Sequence, residues 1–464
     1  MPRFTVPPNF TGTASNDTIV GEDLNKFPGI GIDILTGGFI FTGSGKNTIK
    51  GNGTGGKGAD GAIGKNGSEG GAGIGISNNG NLNAGSGDDA IISNGIGGLG
   101  GNGTGEPTVY SGTNGGGGGA GTGISNSGKL NTGLGNDTII SNGTGGNGGN
   151  GGGYFPFGGG GGFGTGISNT GKLNTGLGND TITSTGQGST GGGSRYGSSG
   201  GYGTGISNTG QLDTGDGKDT IAGIGIAGIP ADGVVPGTGG VGTGIINSKK
   251  LDTGDGEDTI IGTGTGTGGP SSNGTGDGIG IQNMKGAIIT TGQGNDTITG
   301  SGKGLASNLI VIGISNDGVI DAGNGCDILT GQATATIGGV AYGIYGKGMI
   351  KTGDGNDKIR ATSTINKVQQ KVTIGGGIGI DLGTGNDYFK GFGTGTVDGG
   401  KGFDTLDLSA FNRSELTFSG VISGNALNPA NISFNNNKNV ITLSTTGFEN
   451  FIFADGSLDY STLI

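Results

Sequence analysis

A ten-residue stretch, Leu173 to Ile182 (LNTGLGNDTI), returns from one end of the chain to the other. Copies begin at Leu82, Leu130, Leu212 and Leu251, and looser ones at Ile289, Ile320, Ile350, Ile380 and Val397. Each reduces to Gly-x-Gly-x-Asp-x-aliphatic. Measured between motif aspartates, the repeat shortens along the chain from 48 residues to 39, then to 30, and finally to 17. A period of this size marks a solenoid or array, because one repeat cannot bury its own apolar face and must stack on its neighbours.

Inside the period one frame stays fixed, from Gly166-Ile167-Ser168-Asn169 to Asp180, with matches at Ile124, Ile206, Ile245, Ile281, Ile314 and Ile344. It reads as three short strands, Gly-Ile-Ser-Asn, Lys-Leu-Asn-Thr and Thr-Ile-Thr, joined by Asn-x-Gly and Gly-x-Gly-Asn-Asp turns. Ile167, Leu173 and Ile182 are expected to point inward and stack on their equivalents. The predicted fold is all-β, a right-handed parallel β-solenoid of the β-roll or β-helix kind, with about 30–48 residues per turn. Composition agrees. With 126 glycines and 29% apolar residues the chain cannot fill a thick core, only a narrow aliphatic column. Ten prolines and the absence of a chain-long G-X-Y period exclude collagen.

The longer periods carry inserts with glycine at every third place: Gly55, Gly58, Gly61, Gly64, Gly67, Gly70 and Gly73, then Gly112 to Gly121, then Gly143 to Gly152. That period predicts polyglycine-II-like rods standing side by side through weak Cα–H···O contacts; flexible glycine loops are the alternative. Tyr110, Tyr154, Phe155, Phe157, Tyr196 and Tyr202 fall within these inserts. Residues 1–30 are expected to form an N-terminal cap and 31–404 the repeat body. Residues 405–464, richer in large apolar side chains, are expected to form a C-terminal cap over an otherwise open sheet edge.

The net charge of −11 and scarcity of basic residues disfavour nucleic acid and anionic membranes as partners. Nothing is long and apolar enough to span a bilayer. There is no histidine and one cysteine, Cys326, so a nitrogen- or sulfur-ligated metal site is not expected. Stacked turns lie about 4.8 Å apart. The motif aspartates therefore form a ladder of like charges that must be protonated, splayed into water or neutralised. A hard cation between turns would settle it, and oxygen-only ligands favour Ca²⁺. The candidate ligands are Asp89, Asp137, Asp180, Asp219, Asp258, Asp296, Asp327, Asp357, Asp387 and Asp404. Loop carbonyls would come from Gly133, Gly135, Gly176, Gly178, Gly215, Gly217, Gly254, Gly256, Gly292, Gly294, Gly323, Gly325, Gly353 and Gly355. The alternative is a metal-free solenoid in which each aspartate caps its own turn through an Asx-type bond.

Gly-x-Gly-x-Asp-x-aliphatic resembles the nonapeptide of the RTX (repeats-in-toxin, haemolysin-type) calcium-binding family. The resemblance implies Ca²⁺ between turns of a parallel β-roll, export through an uncleaved C-terminal type I secretion signal within 405–464, and folding on meeting extracellular calcium. Nothing resembles a toxin, protease or lipase domain, and the chain is most similar to non-toxic surface-fibril types such as oscillin. It departs from the family in having one motif per long turn. Thr132, Thr175 and Thr214 stand at the first glycine position, and Asn47 stands at an aspartate position.

The expected function is a secreted, calcium-stabilised structural protein, a cell-surface filament, sheath or matrix subunit, self-assembling head to tail. The alternative is a calcium-dependent adhesin for surface polysaccharide. An enzyme, such as a polysaccharide lyase or epimerase, is not expected, since the four arginines are widely separated in sequence. The outward threonines Thr138, Thr181, Thr220, Thr259 and Thr297 suggest an ice-binding ladder. It is interrupted at Ile328 and Lys358, and β propensity accounts for threonine there.

Overall fold

A computed structural model describes residues 2–105, 112–235, 237–268, 276–336, 338–423, 426–436 and 439–459. Isoleucine, leucine and threonine alternate with small residues in each repeat, and each repeat folds into three strands. In the copy around Asp180 these are Gly164–Asn169, Lys172–Leu177 and Thr181–Gln187. Every strand pairs in parallel with its equivalents one turn before and after. Ile167 lies beside Ile124 and Ile206, Leu173 beside Leu130 and Leu212, and Ile182 beside Ile139 and Ile221. The first two strands of each turn build a front sheet of twenty-five strands, and the third builds a back sheet of fifteen. The chain is thus a parallel β-solenoid. Its back sheet runs through thirteen parallel rungs from Thr18–Lys26 to Asn450–Phe453, about 60 Å at the spacing of paired strands.

Ile167, Leu173 and Ile182 are 0–1% exposed, and their equivalents form one continuous buried cluster from Val6 to Phe453. The column is thin because the next inward position on the back sheet is small. Ser93, Ser141 and Ser184 occupy it, and their hydroxyls donate to the carbonyls of Gly123, Gly166 and Gly205 on the front sheet at 2.6–2.7 Å. Sheets that approach this closely need little apolar volume between them, which reconciles the low apolar content with a continuous core.

The ends differ from simple caps. Phe4–Val6, Phe10–Thr11 and Thr18–Lys26 pair in parallel with the next turn, so the N-terminal segment is itself a turn of the solenoid. At the other end Thr405–Leu408 still continues the back sheet. Leu416–Ser423, Ala426–Asn436 and Asn439–Thr446 then form an antiparallel meander, the last strand of which joins the front sheet. Buried Phe392, Phe411, Phe448 and Phe451 fill the space beneath it.

Within the described residues the glycine inserts form rods. Gly119 N–H donates to Gly98 O, Gly146 N–H to Gly119 O and Gly162 N–H to Gly146 O, each at 2.8 Å. The rods are therefore joined by ordinary N–H···O bonds and not by weak Cα–H···O contacts alone. The three-residue period has a steric origin. A Cβ on Gly118 would lie 1.7 Å from Gly146 O and one on Gly119 2.0 Å from Gly71 O, whereas Gly117 has only Gly160 O at 3.8 Å. The insert aromatics stack along the axis, Phe157 on Tyr196 and Phe163 on Tyr202, with ring centroids 5.1 Å apart in both pairs. Tyr110 lies outside the described residues.

Candidate metal centre

The motif forms the corner between the second and third strands of a turn. Its two glycines are required by backbone geometry. Gly176 and Gly178 have φ of +105° and +136°, and a Cβ on Gly176 would meet Gly133 O of the preceding turn at 1.6 Å. The same arrangement recurs at Gly133/Gly135, Gly215/Gly217, Gly254/Gly256, Gly292/Gly294, Gly323/Gly325 and Gly353/Gly355.

The aspartates are not splayed into water. All ten are 0–2% exposed. Each accepts, through Oδ1, the backbone N–H of its counterpart one turn earlier. Asp137 accepts from Asp89, Asp180 from Asp137 and Asp219 from Asp180, and so on to Asp404, at 2.7–2.8 Å throughout. The aspartate therefore caps the neighbouring turn and not its own. Asp17, in the first turn, does cap its own turn, its Oδ2 accepting Thr13 N–H at 2.7 Å. The last turn is closed by Glu449, whose Oε2 accepts Asp404 N–H at 2.7 Å. Sequence reasoning missed Glu449, although Gly447-Phe448-Glu449 preserves the Gly-x-acid signal.

The second carboxylate oxygen has no such partner. Oδ2 of every one of the ten aspartates is buried and receives no hydrogen bond. Burial is the chief cause that raises these carboxyls above the ordinary range, opposed by the N–H bond at Oδ1 and, at Asp137, Asp180, Asp219, Asp258, Asp296 and Asp357, by the nearby hydroxyl of the threonine five residues earlier, which has no hydrogen-bond geometry to Oδ2. Asp89 and Asp258 are raised to about 6, and Asp219, Asp327, Asp387 and Asp404 to about 7.

Asn47 shows what surrounds this orphaned position. It continues the hydrogen-bonded column. Its Oδ1 accepts Asp17 N–H at 2.8 Å, and its N–H donates to Asp89 Oδ1 at 2.7 Å. Its amide nitrogen, standing where an aspartate would place Oδ2, donates to Gly45 O at 3.2 Å and Ala84 O at 3.0 Å. A group that donates satisfies this position, and a second acceptor oxygen does not.

The threonines at the motif's first position form a further ladder. Thr132 Oγ1 donates to Thr175 O at 2.9 Å and Thr175 Oγ1 to Thr214 O at 3.1 Å. Many loop carbonyls are also engaged between turns: Gly87 N–H donates to Leu134 O and Gly325 N–H to Asp354 O, both at 2.7 Å. Asn78, Asn126, Asn169, Asn208 and Asn247 form an asparagine ladder, the side-chain amide of each of the first four donating to Oδ1 of the next at 2.7–2.9 Å.

No family model and no curated protein matches this chain. The donor set at the corner is oxygen only, carboxylate and carbonyl, which suits a hard cation. The orphaned Oδ2 column gives such an ion a reason to bind. Each turn contributes one motif carboxylate, and nowhere among the described residues do three acidic, histidine or cysteine side chains converge in a metal-binding group. Any ion would therefore be shared between turns and completed by carbonyl oxygens or water.

Proposed function

We propose that the chain is an extracellular structural protein, a calcium-stabilised solenoid that builds a surface filament, sheath or matrix. The observation that carries this reading is the column of ten buried Oδ2 oxygens without donors. A bound cation would remove the like-charge cost of the stack at neutral pH, and aspartates from Asp89 to Asp404 would hold it. With about one carboxylate per interval, affinity falls in the weak range of extracellular calcium modules, about 10⁻⁴–10⁻³ M. Such a site is empty at cytosolic calcium and filled outside the cell, which fits folding after export and a secretion signal within 405–464.

Assembly is supported by the two ends. Among the described residues the one strand partner of Thr18–Lys26 is Thr48–Gly55, and that of Leu416–Ser423 is Ala426–Asn436. Unpaired edges at opposite ends of a rod make a heterologous contact that does not close, and repetition of it gives a filament. The test is a calcium titration from chelator with magnesium as control, followed by far-UV circular dichroism and negative-stain microscopy. A cooperative gain of β structure near millimolar calcium and the appearance of fibres are expected. Full β structure in chelator, unchanged by calcium, would remove the cation from the account.

A further inference from the structure

The four arginines, scattered in sequence, gave no sign of a site, but rung pairing collects charged groups on the outward face of the back sheet near its C-terminal end. Lys358 lies beside Tyr388 one rung on, and Arg360 beside Lys390, which in turn lies beside Asp407. Neighbouring rungs are about 4.8 Å apart, so Arg360 and Lys390 stand as like charges directly opposite one another, an unfavourable arrangement.

Asp407 relieves only half of it. Its carboxylate accepts Lys390 Nζ at 3.0 Å, Ser409 N–H at 2.8 Å and the Tyr388 hydroxyl, and its side chain is 7% exposed. It is saturated. Lys358 and Arg360 lie 5.6 Å from the centroid of the Tyr388 ring and form no ion pair among the described residues. The rung before them presents Ile328 and Thr330, which are uncharged. Two unneutralised cations thus share one face of a chain whose net charge is −11.

The rest of that face is unusual in the opposite sense. On the five successive rungs from Ala90–Ile96 to Thr259–Gly266, its outward positions are threonine, isoleucine, asparagine, alanine and glutamine, with no charge, and the next rung, Thr297–Gly304, adds Lys303 beside two threonines and a serine. The uncharged surface is rich in hydroxyl, amide and methyl groups over about 20 Å. A chain of sugars can hydrogen-bond to such a face and rest its C–H surfaces on the methyls, with a carboxylate fixed at the cationic end. Guanidinium offers that carboxylate two parallel N–H donors.

We propose that this face binds a carboxylated polysaccharide, with Lys358 and Arg360 taking a uronate carboxylate and the threonine-rich rungs receiving the neighbouring sugars. The surface is independent of the aspartate column and of filament formation, so this proposal and the structural role fail separately. Calorimetry on the full chain at fixed calcium would use hexagalacturonate, the same oligosaccharide reduced at its carboxyls, galacturonate monomer and polyglutamate.

Binding of hexagalacturonate and not of the reduced form is expected. Lys358→Gln with Arg360→Gln should weaken it about tenfold or more, and Arg360→Lys by several-fold through loss of the paired donors. Thr220→Glu, on the neutral rungs, should weaken the hexamer and leave the monomer unchanged. Circular dichroism would confirm that each variant keeps its sheet. Unchanged binding by the double variant, or equal binding of the reduced oligosaccharide, would overturn the proposal. So would a monomer that binds as tightly as the hexamer, or polyglutamate that binds as tightly as either.

Discussion

Asn47 and Asp89 stand in register one turn apart, Asn47 N–H donating to Asp89 Oδ1 at 2.7 Å, and they differ only in their second terminal atom. In Asn47 that atom is a donor shared by two carbonyl oxygens; in Asp89 it is a buried acceptor with no partner. One natural substitution within the column therefore reads out what the other positions lack. Each aspartate needs a proton or a cation at Oδ2.

The first prediction follows directly. Asp219→Asn should stabilise the chain in chelator, because the amide can donate where the carboxylate cannot. A gain of about 1–2 kcal/mol matches relief of one unsatisfied buried polar group. Asn47→Asp should do the reverse. Thermal melts in chelator check both, and a loss of stability in Asp219→Asn would show that Oδ2 is satisfied in some other way.

The raised carboxyls set a pH dependence of unusual sign. Asp219, Asp327, Asp387 and Asp404 titrate at about 7 in the fold, against about 3.9 in an unfolded chain. The folded state thus binds more protons than the unfolded one between these values, and stability falls as pH rises. Without divalent cations, the melting temperature should be highest near pH 4 and decline through pH 7. Calcium should flatten the decline and release protons on binding. A melting temperature in chelator that rises from pH 4 to 7 would contradict this.

The inserts allow a paired test. Gly118→Ala should disrupt rod packing, since its Cβ would meet Gly146 O at 1.7 Å, while Gly117→Ala should be tolerated, with nothing nearer than 3.8 Å. Hydrogen exchange at Gly119 and Gly146 would report the difference. Equal protection in the two variants would mean that the rods are not packed through their backbones.

In the core, Ile221 is fully buried and stacks between Ile182 and Ile260. Ile221→Ala should cost about 2–5 kcal/mol, as buried isoleucine truncations do. Because rungs touch only their neighbours, exchange should accelerate around residues 181–187 and 259–266 before it does near either end. A uniform acceleration along the chain would point to all-or-none unfolding.

Much of the fold was legible because its repeat is local. Spacing alone placed Ile167, Leu173 and Ile182 in the core, and the motif glycines marked turns where a Cβ is excluded by the turn below. The site was legible only as a column of residue types. Which atom of Asp180 meets the neighbouring turn, and which meets nothing, depends on register between residues that lie 39 or 43 positions apart in sequence. For the same reason Phe4–Val6 read as a cap although it pairs as a rung, and Arg360 read as one of four separated arginines although it shares a face with Lys358 and Lys390.

The sequence by itself determined the parallel stack, its thin aliphatic column and the corner at which the acidic residues gather, because alternation, glycine placement and period are properties of a single turn. Only the tertiary structure decided that the aspartates are buried, that each spends one oxygen on its neighbour's N–H, and that the other is left without a donor. Those facts belong to the gap between turns, a few ångströms wide. Hydrogen bonds across it are set by how two distant segments lie against each other, and neither segment encodes that alone.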